Sequence, residues 1–253
     1  MILSLQNISF AYGKRCLLHD ISAELSPGRL HYLAGSNGCG KSTLLKLING
    51  LLKPDNGRVL LNNTPLEDFS GSHRARIMGA VWQTAIPELD FTVREMVSII
   101  ASGRFSRWEA LSSQAWQTVD EALNIFNMAP LADQAVNTLS GGERQRVMLA
   151  GIAALNPEIM LLDEPTSALD PAHRNQVMNF LEQYAQQHIV LAVTHDLELL
   201  GRAHGTLWLL DQQGNFTSGP AGELLHSELL SKVYGTAATV EKTPDDRKRI
   251  YFD

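Results

Sequence analysis

The sequence predicts an α/β core interrupted by a helical insertion, and three observations carry that expectation. Short apolar runs alternate with amphipathic helical patterns at both ends of the chain. A glycine-rich loop, GSNGCGKST, joins a strand pattern to a helix pattern at residues 35–43. From about residue 91 to residue 155 strand texture gives way to helical periodicity.

ILSLQNISF, at the start, alternates apolar and polar residues and reads as an edge or half-buried strand. A Pro27-Gly28 turn precedes the short strand LHYLAG, and the glycine-rich loop then opens the amphipathic helix STLLKLINGLL. GRVLLNNTPL reads as strands around an Asn62-Asn63 turn, and IMGAVWQ as a further strand. Three helical stretches follow: TVREMVSIIASGR, SQAWQTVDEALNIFNM and the run after Gly141-Gly142. Alternation resumes with EIMLLDE, a helix from Pro171, HIVLAVTH and TLWLLD. Asp170 before Pro171 is a strong helix start, a capping carboxylate followed by proline at the first helical position. The C-terminal piece TPDDRKRIYFD mixes charges and reads as a solvated tail.

Composition narrows the functional classes. The chain has 253 residues, 44% apolar and 19% charged, as in ordinary globular proteins. Its net charge of -6 argues against non-specific nucleic-acid binding, which needs a basic footprint. Two cysteines, Cys16 and Cys39, imply no disulfide framework. MILSLQNISF lacks the cationic start and apolar run of a signal peptide. The longest apolar stretch, VMLAGIAAL, falls short of the roughly 20 residues a membrane span needs. If the protein works at a membrane, another chain is expected to supply the span.

GSNGCGKST matches G-x-x-x-x-G-K-[ST] in the strand-to-helix context that gives this pattern its meaning. Its glycines let backbone N–H groups curl around phosphate oxygens, and the helix N-terminus adds partial positive charge. The cradle is Gly35, Ser36, Asn37, Gly38, Cys39, Gly40, Lys41, Ser42 and Thr43. Lys41 would reach the β- and γ-phosphates, and Ser42 would ligate Mg²⁺. Cys39, beside a helix N-terminus, is expected to be accessible without nucleotide and shielded by it. EIMLLDE supplies the complement: Asp163 fits a Mg²⁺-supporting carboxylate, and Glu164 is placed to orient or activate the attacking water.

NTLSGGERQRV holds a less ordinary feature. Ser140 and Glu143 fit a capping box, but that leaves Gly141 and Gly142 unexplained. Each glycine inside a helix costs about 1 kcal/mol relative to alanine. Adjacent glycines at a helix start make sense where an anion approaches the backbone closely.

LSGGERQR resembles the signature motif of ABC-type ATPases, and the other motifs of that family appear in its order. Tyr12 in FAYG resembles the aromatic residue that stacks on adenine, and Gln83 in VWQ resembles the Q-loop glutamine. SALD, residues 167–170, resembles the D-loop, and His195 in VTHD resembles the switch histidine near the γ-phosphate. Ser36 departs from the family's common proline, and Cys39 from its usual small residue. The resemblance implies a P-loop NTPase core with an N-terminal antiparallel β subdomain and an inserted helical subdomain. It implies an ATPase domain over 1–235, the insertion at about 91–155, and a tail over 236–253. It also implies ATP and Mg²⁺, with Gln83 joining Ser42 and Asp163 at the metal and joining Glu164 and His195 in catalysis. Two copies would pair head to tail, so that Ser140, Gly141 and Gly142 serve the ATP held by the partner.

TVREMVSIIASGR, ALNIFNMAPLADQAVNTLSGGERQRVMLAG and SGPAGELLHSELLSKVYG resemble ATPases of bacterial importers for iron–siderophore complexes, haem and cobalamin. The implied partners are transmembrane permease subunits and, indirectly, a substrate-binding protein, with no nucleic acid. The implied location is the cytoplasmic face of the cell membrane. The competing readings are an importer ATPase for another substrate such as a metal ion, a soluble non-transport ABC ATPase, and an ATP-binding regulator without turnover. Glu164 and His195 weigh against the last, because a binding module needs neither.

Overall fold

A computed structural model describes residues 1–83, 90–104, 112–244 and 247–252. Residues 105–111 of the expected helical insertion therefore lie outside the described residues. In chain order the elements are β1 (Leu3–Tyr12), β2 (Arg15–Leu25), β3 (His31–Gly35), α1 (Lys41–Asn49), β4 (Asn56–Leu61), β5 (Thr64–Pro65), α2 (Gly71–Ile77) and β6 (Met78–Val81). Next come α3 (Val93–Ala101), α4 (Ser113–Ile125), α5 (Gly141–Leu155), β7 (Ile159–Asp163), α6 (Pro171–Tyr184), β8 (Ile189–Val193) and α7 (Leu197–Gly201). The chain finishes with β9 (Thr206–Leu210), β10 (Phe216–Pro220), α8 (Ala221–Leu224), α9 (Ser227–Tyr234), β11 (Ala238–Lys242) and β12 (Lys248–Phe252). The fold divides into two compact units, Met1–Phe69 with Tyr184–Asp253, and Ser70–Gln183.

The first unit contains an antiparallel sheet in the order β2-β1-β4-β5. β1 is thus an inner strand, paired on both sides. Asn62 and Asn63 make the turn between β4 and β5 with φ of 48° and 64°, the left-handed backbone asparagine tolerates. The same unit holds β3, parallel to both β8 and β9, with β10 antiparallel to β9. β3 and β8 are buried along their whole length, which explains their continuous apolar sequences. His31 is a buried exception. Its Nδ1 accepts from the Thr206 amide at 3.1 Å, so the proton sits on Nε2, which donates to the Ser26 carbonyl at 2.8 Å. Burial pushes its pKa below the ordinary histidine value, against the raising effect of the Ser26 bond.

The described part of the C-terminal piece is not a solvated tail; Asp245, Asp246 and Asp253 lie outside the described residues. β12 pairs antiparallel with β11 and buries Ile250. The Phe252 ring lies 4.7 Å from that of Tyr234, and Lys248 Nζ donates to the Leu225 carbonyl at 2.8 Å. Flanking charges hide the two-residue alternation of KRIYF, which pairing with β11 reveals.

In the second unit β6 runs parallel to β7, with Val81 opposite Leu162. α3 and α5 each begin with a complete capping box, Thr92 with Glu95 and Ser140 with Glu143. The buried Arg146 of α5 donates to the Phe126 carbonyl at 3.1 Å, tying α5 to the end of α4. The unit extends past residues 91–155 on both sides, taking in β6, β7 and nearly all of α6.

Candidate functional site

The phosphate loop lies in the first unit, between the end of β3 and the start of α1. Gly38 and Gly40 have φ of 77° and 112°, and Gly35 has φ of 149°. A Cβ at Gly35 would stand 2.0 Å from the Leu210 carbonyl oxygen, so the loop closes on β9 only with glycine there. Lys41 is 8% exposed, and its ammonium donates to the Gly35 and Ser36 carbonyls at 2.7 and 2.9 Å. Ser36 Oγ is buried and has no hydrogen-bond partner among the described residues. An orphaned hydroxyl beside a sheltered ammonium, at the N-terminus of α1, suits a ligand with several anionic oxygens. Asn37 and Gly38 are exposed, Ser42 is half-buried, and Thr43 is buried.

Cys39 departs from expectation. It is 1% exposed, with its sulfur turned toward Gly35 rather than solvent. Burial raises its pKa, and Lys41 only partly opposes that. The residue packs the underside of the loop instead of presenting a thiolate.

Two other expected residues share this unit. Leu33 of β3 pairs with Val193 of β8, and the Thr194 amide donates to the Leu33 carbonyl at 3.2 Å. The phosphate loop and the exposed His195 therefore leave the carboxyl ends of neighbouring parallel strands, the rim where open α/β sheets bind ligands. Tyr12 is 53% exposed at the end of β1 and stands edge-on to Phe10, ring centroids 4.9 Å apart. Phe10 provides the buried packing and leaves Tyr12 free to stack on a flat ring.

The second unit holds the acidic pair and the double glycine. Asp163 ends β7, and both it and Glu164 are buried. The exposed Gln83 follows the end of β6, so Gln83 and Glu164 each lie two residues beyond the Val81–Leu162 pair. Ser140 Oγ accepts from the Glu143 amide at 3.3 Å, while the Glu143 carboxylate accepts from the Ser140 hydroxyl at 2.7 Å and amide at 2.8 Å. Those bonds, the hydroxyl's first, hold Glu143 below the ordinary glutamate pKa. Gly141 faces open space, but a Cβ at Gly142 would stand 2.7 Å from the Ala168 carbonyl oxygen. Asp170 Oδ1 accepts from the His173 amide at 2.9 Å and starts α6 as expected. That amide, followed by the His173 ring, lowers the Asp170 pKa.

The ABC transporter family model matches residues 18–167, more than half of the chain. The chain is 33% identical to the ferric enterobactin transport ATP-binding protein of Escherichia coli, over 94% of this chain and 89% of that protein. It is 35% identical to the hemin import ATP-binding protein of Pseudomonas aeruginosa, over 96% of each. This chain belongs to the ABC transporter family. An ABC protein of this kind is an ATPase coupled to transport, and it binds ATP. Among solved structures, an inward-facing putative metal-chelate type ABC transporter superposes with a TM-score of 0.82 at 28% identity, over 99% of this chain and 96% of that one. An ATP-binding subunit of an ABC transporter superposes with a TM-score of 0.78 at 25% identity, over 88% of this chain and 92% of that one. Among the described residues no helix of this ABC ATPase is long and apolar enough to cross a membrane. Gln145 is not among the expected site residues of this ABC ATPase, yet its side-chain amide donates to the Glu164 carbonyl at 2.6 Å. It stood inside LSGGERQR, but nothing local to that motif shows what it touches.

Proposed function

We propose that this chain is the ATP-hydrolysing subunit of a bacterial importer for iron–siderophore complexes or haem, working as a pair of copies beneath transmembrane permease subunits. The observation that carries this is the end-to-end match: relatives named for ferric enterobactin transport and hemin import align over nearly all of both chains. The family model spans residues 18–167, whereas these matches extend over nearly the whole chain, beyond a shared nucleotide core.

In this reading Gly35, Ser36, Asn37, Gly38, Cys39, Gly40, Lys41, Ser42 and Thr43 cradle the phosphates, while Tyr12 stacks on adenine. Lys41 exchanges its two loop carbonyls for phosphate oxygens. Ser42, Gln83 and Asp163 offer only oxygen donors, the set a hard divalent ion prefers, and they would hold Mg²⁺. Mg²⁺ held there would supply charge neutralisation at the phosphates. Glu164 orients or activates the attacking water, and His195 stands near the γ-phosphate. Ser140, Gly141 and Gly142 of one copy close on the ATP of the other, and hydrolysis releases that closure. The pair sits at the cytoplasmic face of the membrane, and a separate substrate-binding protein delivers the cargo, which never touches this chain.

The test is purification of the tagged chain from detergent-solubilised membranes. A permease with many spans should copurify, and ATP turnover of the complex should rise with a binding protein loaded with ferric chelate or haem. Purification without any membrane partner, or a complex stimulated only by other cargo, would overturn the assignment.

A further inference from the structure

We infer that Gln145 is a positioning residue for ATP hydrolysis: its side-chain amide clamps the turn that starts at Glu164 onto the helix that starts at Gly141. The inference rests on the reading of Glu164 as the residue that orients the attacking water.

Glu164 has φ of 56°, a left-handed backbone that a residue with a side chain adopts only under constraint. Surrounding bonds must hold it there. Its carbonyl oxygen accepts from the Ser167 amide at 3.3 Å, the Ser167 hydroxyl at 3.1 Å and Gln145 Nε2 at 2.6 Å. The Ser167 bonds are local and close the turn on itself. Gln145 alone among these donors comes from another element, α5. Its Oε1 accepts from the Ala168 amide at 3.2 Å. One primary amide thus grips both ends of the 164–168 turn, donating at one and accepting at the other. Gly142, one turn earlier on α5, lets the Ala168 carbonyl approach the helix.

This arrangement has a mechanical consequence. The N-terminus of α5 carries Ser140, Gly141 and Gly142, which face the ATP of the partner copy. Glu164 serves the ATP of its own copy. A shift of α5 as the signature closes is passed through Gln145 to the backbone of Glu164, which carries the carboxylate. Gln145 touches no nucleotide in this scheme, so it governs turnover and not ATP affinity.

Gln145→Glu keeps the shape and the acceptor toward Ala168 but replaces the donor toward Glu164 with a second acceptor. Its kcat at neutral pH should fall about ten- to a hundredfold, with KM for ATP within about twofold of wild type. The loss should shrink as pH falls, because a protonated glutamate donates to the Glu164 carbonyl again, and that bond favours the neutral form. Glu164→Gln, measured alongside, should bind ATP, lose nearly all turnover and accumulate as an ATP-bound dimer. If Glu164→Gln is inactive while Gln145→Glu keeps wild-type kcat, or loses only KM, the clamp is overturned and the role of Glu164 stands. If Glu164→Gln turns over normally, the reading beneath the clamp is overturned instead. Should Gln145→Glu fail to fold, Gln145→Met, similar in length and without a donor, carries the same kcat-against-KM test.

Discussion

The carbonyl oxygen of Ala168 lies 2.7 Å from the point where a Cβ on residue 142 would stand. Real Cβ atoms do not come so close to a backbone oxygen, so Gly142 is required by the chain's own 164–168 turn. Gly141 beside it has open space where its Cβ would be. Of the two adjacent glycines, Gly142 is thus accounted for by a close approach within its own chain, and Gly141 by none among the described residues.

That difference predicts opposite behaviour. Gly142→Ala should force the turn off α5, lowering the thermal midpoint and turnover together. Gly141→Ala should leave the thermal midpoint unchanged or higher, since alanine gains up to about 1 kcal/mol over glycine in a helix. It should nevertheless weaken Mg-ATP-dependent dimerisation about tenfold or more, by crowding the partner's phosphate. Calorimetry and gel filtration measure the two effects, and a dimer of wild-type strength in Gly141→Ala would remove Gly141 from the shared site.

A shared site also predicts complementation. Lys41→Ala damages the phosphate loop, and Ser140→Arg puts a bulky group into the signature. Homodimers of either variant carry two damaged sites, whereas a mixed dimer concentrates both lesions in one and restores the other. ATP-dependent association should reappear on mixing, detected by pulling down an untagged chain with a tagged one. Ser140→Arg also loses the capping box, at about 1 kcal/mol, so its folding must be verified first. No recovery between two folded variants would mean that each signature serves its own chain.

Cysteine labelling should discriminate the two thiols. Cys16 is exposed and Cys39 is buried beneath the phosphate loop. Maleimide should modify Cys16 alone in the native protein and both residues in denaturant, with Cys39 protected whether or not Mg-ATP is added. Labelling of native Cys39 at a rate near that of Cys16, read by peptide mass spectrometry, would place it at the surface.

His31 predicts a pH dependence of stability. Its folded pKa lies below the ordinary value, so the neutral ring is the one the fold accepts. As pH falls below about 6.5, the unfolded chain takes up a proton that the folded chain refuses. Stability is therefore full above that value and declines below it, until the folded pKa is reached. His31→Gln, which can keep one donor and one acceptor, should lose less stability than wild type between about pH 7.5 and pH 5.5. Equal losses in urea unfolding would assign the dependence to other groups.

Much of this protein was determined by local sequence. The 35–43 loop, the acidic pair at the end of β7, the two capping residues Ser140 and Asp170, and the Asn62-Asn63 turn were all legible. Each is a pattern of a few adjacent residues whose backbone chemistry admits few conformations. Tertiary structure decided the rest. β2 does not read as a strand in the sequence because irregular register with β1 breaks the alternation of its buried and exposed residues, which only pairing with β1 explains. β12 needed β11 to pair with, and Cys39 turned inward because packing beneath the loop outweighed the helix end beside it. Gly142 and Gln145 stand within LSGGERQR. Their reasons lie at Ala168 and Glu164, some twenty residues on, and reach them across space, where no sequence period points.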